Sequence, residues 1–199
     1  HGCYPFYWED PDAFIFRLQD MVRDSVDIDL VSVHPMNFGM FRKMKQLLVQ
    51  LGKEAPEVPR MQALSLKYEL DNTRVHKLLD YAEEIGVLRL LQATKEEGGL
   101  SRAYRSFTAN TNLMASLFRE MERVYLGETF FVDQMSNCGT VELLQNGDYR
   151  VNDKYTFMIG DPLMDYDRIK DVENAFAAIH GQPKSVGNKI PIWALGLCY

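Results

Sequence analysis

Asp71-Asn72-Thr73-Arg74-Val75-His76-Lys77-Leu78-Leu79-Asp80-Tyr81-Ala82-Glu83-Glu84-Ile85-Gly86, running on into Val87-Leu88-Arg89-Leu90-Leu91-Gln92, is the stretch on which the fold turns. Asp71 and Asn72 are N-cap residue types, whose short polar side chains accept from the unpaired N–H groups of a first helical turn. Val75, Leu78, Leu79, Ala82 and Ile85 then form one apolar stripe, while Arg74, Lys77, Asp80 and Glu84 lie off it, and Gly86 stops the helix. The run 87–92, a charged turn over 95–99 containing Gly98-Gly99, and the run 104–108 predict a β-hairpin. A helix followed by a hairpin is thus expected here.

Working outward, residues 11–30 carry Phe14, Leu18, Met21, Val22 and Ile28 at helical spacing, with Pro11 suited to a first turn. Residues 38–51 repeat the pattern through Phe41, Met44, Leu47, Leu48 and Leu51, then meet Gly52, Pro56 and Pro59. A short helix over 61–70 brings the chain to Asp71. Helix, helix, helix, hairpin is the order of a winged helix. Beyond it the pattern is mixed: helices over 113–117 and 124–135, then strands 141–144 and 149–151 across the hairpin turn Asn146-Gly147. A strand over 154–159, a short helix over 165–172, a strand over 175–179 and the apolar tail 190–199 follow. The expected fold class is α+β, divided near Asn110 into domains 1–110 and 111–199.

Composition bounds the function. With 199 residues, 46% of them hydrophobic and 12% aromatic, the chain can build two small cores. Its 22 Lys plus Arg against 28 Asp plus Glu leave a net charge of −6, so no global positive field draws it to a polyanion. No apolar stretch approaches the ~20 residues needed to span a bilayer. Cys3, Cys138 and Cys198 form no Cys-x-x-Cys pair and are read as reduced core thiols of a cytoplasmic protein. The opening His-Gly-Cys-Tyr-Pro-Phe-Tyr has no initiator Met and no signal pattern, so a segment upstream is expected. No phosphate loop occurs, so ATP has no site of that type here. No Ser/His/Asp or Cys/His set stands out, and His1, His34, His76 and His180 are scattered.

Three runs carry a resemblance: Tyr4-Pro5-Phe6-Tyr7, Gly127-Glu128-Thr129-Phe130-Phe131, and Ile190-Pro191-Ile192-Trp193-Ala194-Leu195-Gly196-Leu197-Cys198-Tyr199. Asn110-Thr111-Asn112-Leu113 and Gly147-Asp148-Tyr149-Arg150-Val151 fall between them in order. Together they resemble the large bacterial and archaeal family of AAA-type ATPases that carry a winged helix and a C-terminal restriction-endonuclease-like, or PD-(D/E)XK-like, domain of unknown function. The likeness spans nearly the whole chain. It implies an upstream ATPase module that would hold ATP and Mg²⁺, and no cofactor is expected in this chain itself.

In nucleases of that type a helix Glu, a strand Asp and a Glu on the next strand hold Mg²⁺, and a Lys stabilises phosphate charge. The resemblance maps Glu128 and Asp148 onto the first two positions. At the next two, where the family pattern is similar to Thr-Phe-Glu-Val-Gly-Gly-Lys, this chain has Met158 for Glu and Pro162 for Lys. A thioether is a poor ligand for a hard cation, and strand alternation puts Asp161 on the face opposite Met158. A nuclease fold without nuclease chemistry is the implied reading, with Glu128, Asp148, Met158 and Pro162 vestigial. The plainer alternatives are that Glu128 caps its helix and Asp148 bonds its hairpin; Trp193 is read as core.

The winged helix offers Arg74 and Lys77 on its recognition helix, and Arg89, Lys95, Arg102 and Arg105 on the hairpin, as candidate contacts to phosphates or bases. Asp80, Glu83 and Glu84 make that helix net acidic. The expected role is accessory and recognition region of an ATPase, meeting the upstream ATPase domain and a partner protein or DNA, with no membrane. A metal-dependent nuclease using a migrated ligand and a stand-alone winged-helix DNA-binding regulator are the two other classes.

Overall fold

The computed structural model describes residues 4–54, 60–92, 104–117, 123–144 and 149–198. Lys95, Arg102, Asp148, His1, Cys3, Pro56, Pro59 and the turns at Gly98-Gly99 and Asn146-Gly147 lie outside the described residues. The chain is a mixed α+β protein that divides into two compact units, His1–Leu90 with Ser106–Met121, and Leu91–Arg105 with Glu122–Tyr199.

In the first unit, α1 (Phe6–Glu9) and α2 (Phe14–Asp24) lead through a π-helical turn, Ser25–Asp29, into α3 (Leu30–Val33). The sequence predicts one helix from 11, but Asp10 Oδ1 accepts from the Ala13 N–H at 3.1 Å, which delays the start. The π turn holds an extra residue. It lets the apolar stripe pass from one buried cluster, Phe14 and Leu18 against Leu113, to another containing Val26 and Leu30. Next come α4 (Phe38–Glu54), α5 (Met61–Tyr68) and α6 (Asn72–Glu84). Met44, Leu47 and Leu51 of α4, Leu64 and Tyr68 of α5, and Val75, Leu78, Leu79 and Ala82 of α6 share one core.

Asp71 caps α6 as read: its Oδ1 accepts from the Arg74 N–H at 2.9 Å. Asp71→Ala is expected to cost about 1 kcal/mol, the usual worth of such a cap. Urea unfolding of the pair would measure it, and an unchanged midpoint would show that the cap does nothing. The chain leaves α6 through Gly86, whose φ of 69° is open to glycine at little cost. It enters β1 (Leu88–Gln92), which pairs with β2 (Tyr104–Thr108). α7 (Thr111–Leu117) follows, with Asn110 Oδ1 accepting from the N–H groups of Asn112 and Leu113, 3.0 Å each. Asn110 Nδ2 also donates to the Tyr4 hydroxyl at 2.8 Å. Two of the sequence motifs, 106 residues apart, are thereby joined by one side chain.

In the second unit, α8 (Arg123–Ser136) precedes a five-stranded sheet of β3 (Val141–Leu143), β4 (Tyr149–Val151), β5 (Tyr155–Gly160), β6 (Ala175–Ile179) and β7 (Lys189–Pro191), in that spatial order. β3, β4 and β5 form an antiparallel meander, whereas β5, β6 and β7 run parallel. The helix expected over 165–172 is only a 3₁₀ turn, Asp167–Ile169. Asp165 Oδ1 accepts from the Asp167 N–H at 2.9 Å, and such local bonding by Asp competes with α-helical pairing. The apolar tail supplies β7 and a closing 3₁₀ segment, Ile192–Leu197. Among the described residues no helix is long and apolar enough to cross a membrane.

Alternation along β5 sorts its side chains. The Phe157 ring lies 5.1 Å from that of Phe131 on α8 and 5.6 Å from that of Phe176 on β6. Met158 belongs instead to a buried cluster with Tyr166, Ile169, Ala175, Ala177 and Ile179. The α8 side and the 3₁₀ side of the sheet are therefore different environments.

Candidate functional site

The second unit is centred on Glu128, Arg105 and Tyr149. α8 presents Glu128 and Phe131, three residues apart, on one helical face. The Phe131 ring sits 5.0 Å from that of Tyr149 on β4, so burying one aromatic pair brings the carboxylate to the phenol. Glu128 is 7% exposed and Tyr149 fully buried. Arg105, near the start of β2, closes the group with two parallel bonds: Nη1 to Glu128 Oε1 at 2.9 Å and Nη2 to Oε2 at 2.7 Å. The Tyr149 hydroxyl donates to Glu128 Oε1 at 3.0 Å and accepts from Arg105 Nη1 at 3.1 Å.

Both carboxylate oxygens are thus engaged by donors, and a guanidinium stands where a cation would have to bind. The fork geometry of arginine suits this pairing, and the bonds are charge-assisted. A divalent ion at the same oxygens would face the Arg105 charge across a weakly screening interior. Glu128 lies in the second turn of α8, so the first-turn capping role considered from sequence does not apply.

Burial raises the Tyr149 pKa far above the ordinary tyrosine value, and the neighbouring Glu128 charge adds to the effect. The unfolded chain ionises this phenol near pH ~10, whereas the folded one does not. Its contribution to stability is therefore complete below about pH 10 and falls as pH rises further. Tyr149→Phe should flatten that alkaline decline in urea unfolding measured at stepped pH. An identical decline in the variant would assign the effect to other groups.

Met158, Pro162 and Asp161, the other described positions of the nuclease pattern, do not converge on this group. Met158 is buried on the 3₁₀ side, where Arg168 Nε lies 3.3 Å from its sulfur. Pro162 is exposed in the turn after β5. Asp161 Oδ1 accepts from the Leu163 N–H at 2.8 Å, and its carbonyl from the Tyr166 hydroxyl at 2.7 Å, so this residue shapes its own loop. Among the described residues, no three His, Cys, Asp or Glu side chains are grouped to hold a metal.

The Gly-Glu-Thr-Phe-Phe motif is accounted for largely by packing. A Cβ on Gly127 would fall 1.9 Å from His180 Nε2, so glycine is what lets the end of β6 approach α8. Thr129 and Phe131 are buried, and Phe130 Cζ would be 3.1 Å from a Cβ on Gly196. Trp193, read as core, is 55% exposed; its Nε1–H reaches the Gln182 carbonyl at 3.2 Å, which a polar-tipped ring does best at a surface. Cys138 and Cys198, read as core thiols, are also exposed, with the Cys138 thiol donating to the carbonyl of Cys198.

On the first unit, Arg74 and Lys77 stand exposed on α6, with Arg74 Nε 3.2 Å from Asp71 Oδ2. Arg89 on β1 is half-buried. His34, unremarkable in sequence, stacks on Tyr81 with ring centroids 3.9 Å apart and bonds Glu84 Oε2 at 2.7 Å. That contact joins residues 50 apart, and nothing local in the sequence signals it. No protein-family profile, curated protein or solved structure matches the chain.

Proposed function

We propose that the chain is the non-catalytic accessory and recognition region of an AAA-type ATPase, a winged helix joined to a degenerate PD-(D/E)XK-like domain, and that it docks a partner protein. The observation that carries this reading is the bidentate Arg105–Glu128 pair. It places an internal cation on the carboxylate that nuclease chemistry would leave to a metal. The order α4, α5, α6 and the β1–β2 hairpin supports the winged helix, and the order α8, β3, β4, β5, 3₁₀ turn, β6 supports the nuclease-like half. The ATPase module, with its ATP and Mg²⁺, belongs to the same proposal through the sequence motifs.

Protein is the favoured partner over nucleic acid. Arg105, a candidate phosphate contact, has a side chain only 16% exposed and spends its charge on Glu128. Arg74 and Lys77 share their helix with Asp80, Glu83 and Glu84. A polyanion approaching that face meets as much repulsion as attraction.

The test is direct. Purified chain with Mg²⁺ or Mn²⁺ is expected to cut DNA and RNA no faster than a Glu128→Ala, Asp148→Ala control, and to show no saturable binding of a labelled duplex at physiological salt. Cleavage that Asp148→Ala abolishes would restore the nuclease, and micromolar salt-sensitive duplex binding would restore the DNA regulator.

A further inference from the structure

Pro35, Met36, Asn37 and Met40 at the start of α4, with Arg74, Lys77, Leu78 and Tyr81 of α6, enclose a cleft of about 240 Å³ in the first unit. Its floor is apolar and soft, because two methionines can repack around differently shaped side chains. Its lining carries the two cations Arg74 and Lys77 and, among the described residues, no carboxylate of its own.

The Tyr81 ring decides against a nucleobase. His34 stacks on it at 3.9 Å, and the Lys77 ammonium lies over it, 5.5 Å from the centroid. Both groups compete for the ring on which a base, the usual anchor of a single strand, would have to stack. One carboxylate between Arg74 and Lys77 fits the charge pattern better than a row of phosphates, because Asp71, Asp80, Glu83 and Glu84 surround the two cations along the chain. Arg74 already pairs with Asp71, but that pair is exposed and readily exchanged.

We infer that this cleft takes a short partner segment in which an acidic residue adjoins a bulky aliphatic one: the carboxylate between Arg74 and Lys77, the apolar side chain on Met36, Met40 and Leu78. This occupant presupposes the docking role proposed above. A chain that cuts DNA and a chain that ignores the peptide are nonetheless separate outcomes, because the cleft is read out on its own.

The probe is acetyl-Glu-Leu-Glu-Leu-amide, titrated into full-length chain carrying ¹³C-methyl methionine, with the Gln-for-Glu peptide as its neutral analogue. Saturable shifts of the Met36 and Met40 methyls are expected from the acidic peptide. Two exposed ion pairs lost together should weaken binding about fivefold, both for the neutral analogue and for the Arg74→Ala, Lys77→Ala variant. Both side chains are exposed, so the variant keeps its fold, which its unperturbed remaining methionine shifts would verify. Absence of saturable shifts, equal binding of the neutral peptide, unchanged binding by the variant, or displacement of the peptide by a short DNA duplex would each overturn the proposal.

Discussion

Arg105→Ala is expected to destabilise the second unit by about 3–5 kcal/mol, the cost of stranding one member of a buried ion pair. The reasoning turns on what is left behind. Glu128, 7% exposed, would lose two charge-assisted bonds and keep only the Tyr149 hydroxyl. Removing both charges should hurt less: Arg105→Met with Glu128→Leu replaces the pair by apolar groups of similar size and strands neither charge of the pair. The chain has two tryptophans, Trp8 and Trp193, so Trp8→Phe leaves Trp193 as a fluorescent reporter within the second unit. Urea midpoints should then rank unmodified first, the Met/Leu double variant second and Arg105→Ala last. If Arg105→Ala unfolds at the unmodified midpoint, the pair does not hold this unit together and the argument from an occupied carboxylate fails with it.

That pair also marks the limit of what the sequence discloses. α6, its Asp71 cap, β5 and β6 are legible because cap chemistry and apolar periodicity act within a few residues. The sequence points Arg105 at phosphates because a hairpin cation is, by local pattern, a solvated one. Its partner lies 23 residues on, across a helix boundary, and no periodicity connects them. Motif matching names positions, whereas the register decides faces: Phe157 and Met158 are neighbours in sequence yet pack on opposite sides of the sheet. The π turn at Ser25–Asp29 escaped for a related reason, since the stripe on either side of it reads as one continuous helix. Trp193 shows the reverse error. An apolar run suggested burial, but a 3₁₀ segment cannot bury every side, and Ile192 and Leu195 take the interior instead.

Introducing the Glu and Lys that the proposed nuclease likeness would call for, Met158→Glu with Pro162→Lys, is therefore expected to produce an unstable protein rather than an active one. Met158 is 2% exposed, and its neighbours Tyr166, Ile169, Ala175, Ala177 and Ile179 are mainly apolar. A carboxylate there loses its hydration; the Arg168 guanidinium at 3.3 Å from the present sulfur offers one partner, but Arg168 is largely exposed and offsets only part of that loss. Together with the lost packing this amounts to about 3 kcal/mol or more at neutral pH. Burial raises the pKa of the introduced carboxyl above its unfolded value of about 4.3, so the penalty is smallest below that pH and grows as pH rises through the folded value. Activity should stay absent at every pH, because the new group lies on the 3₁₀ side while Glu128 is held on the α8 side by Arg105 and Tyr149. Urea midpoints at stepped pH and a plasmid-nicking assay with Mg²⁺ or Mn²⁺ test both halves. Metal-dependent nicking by the rebuilt chain would mean that position 158 and Glu128 can meet at one metal after all, and that the face assignment along β5 is wrong.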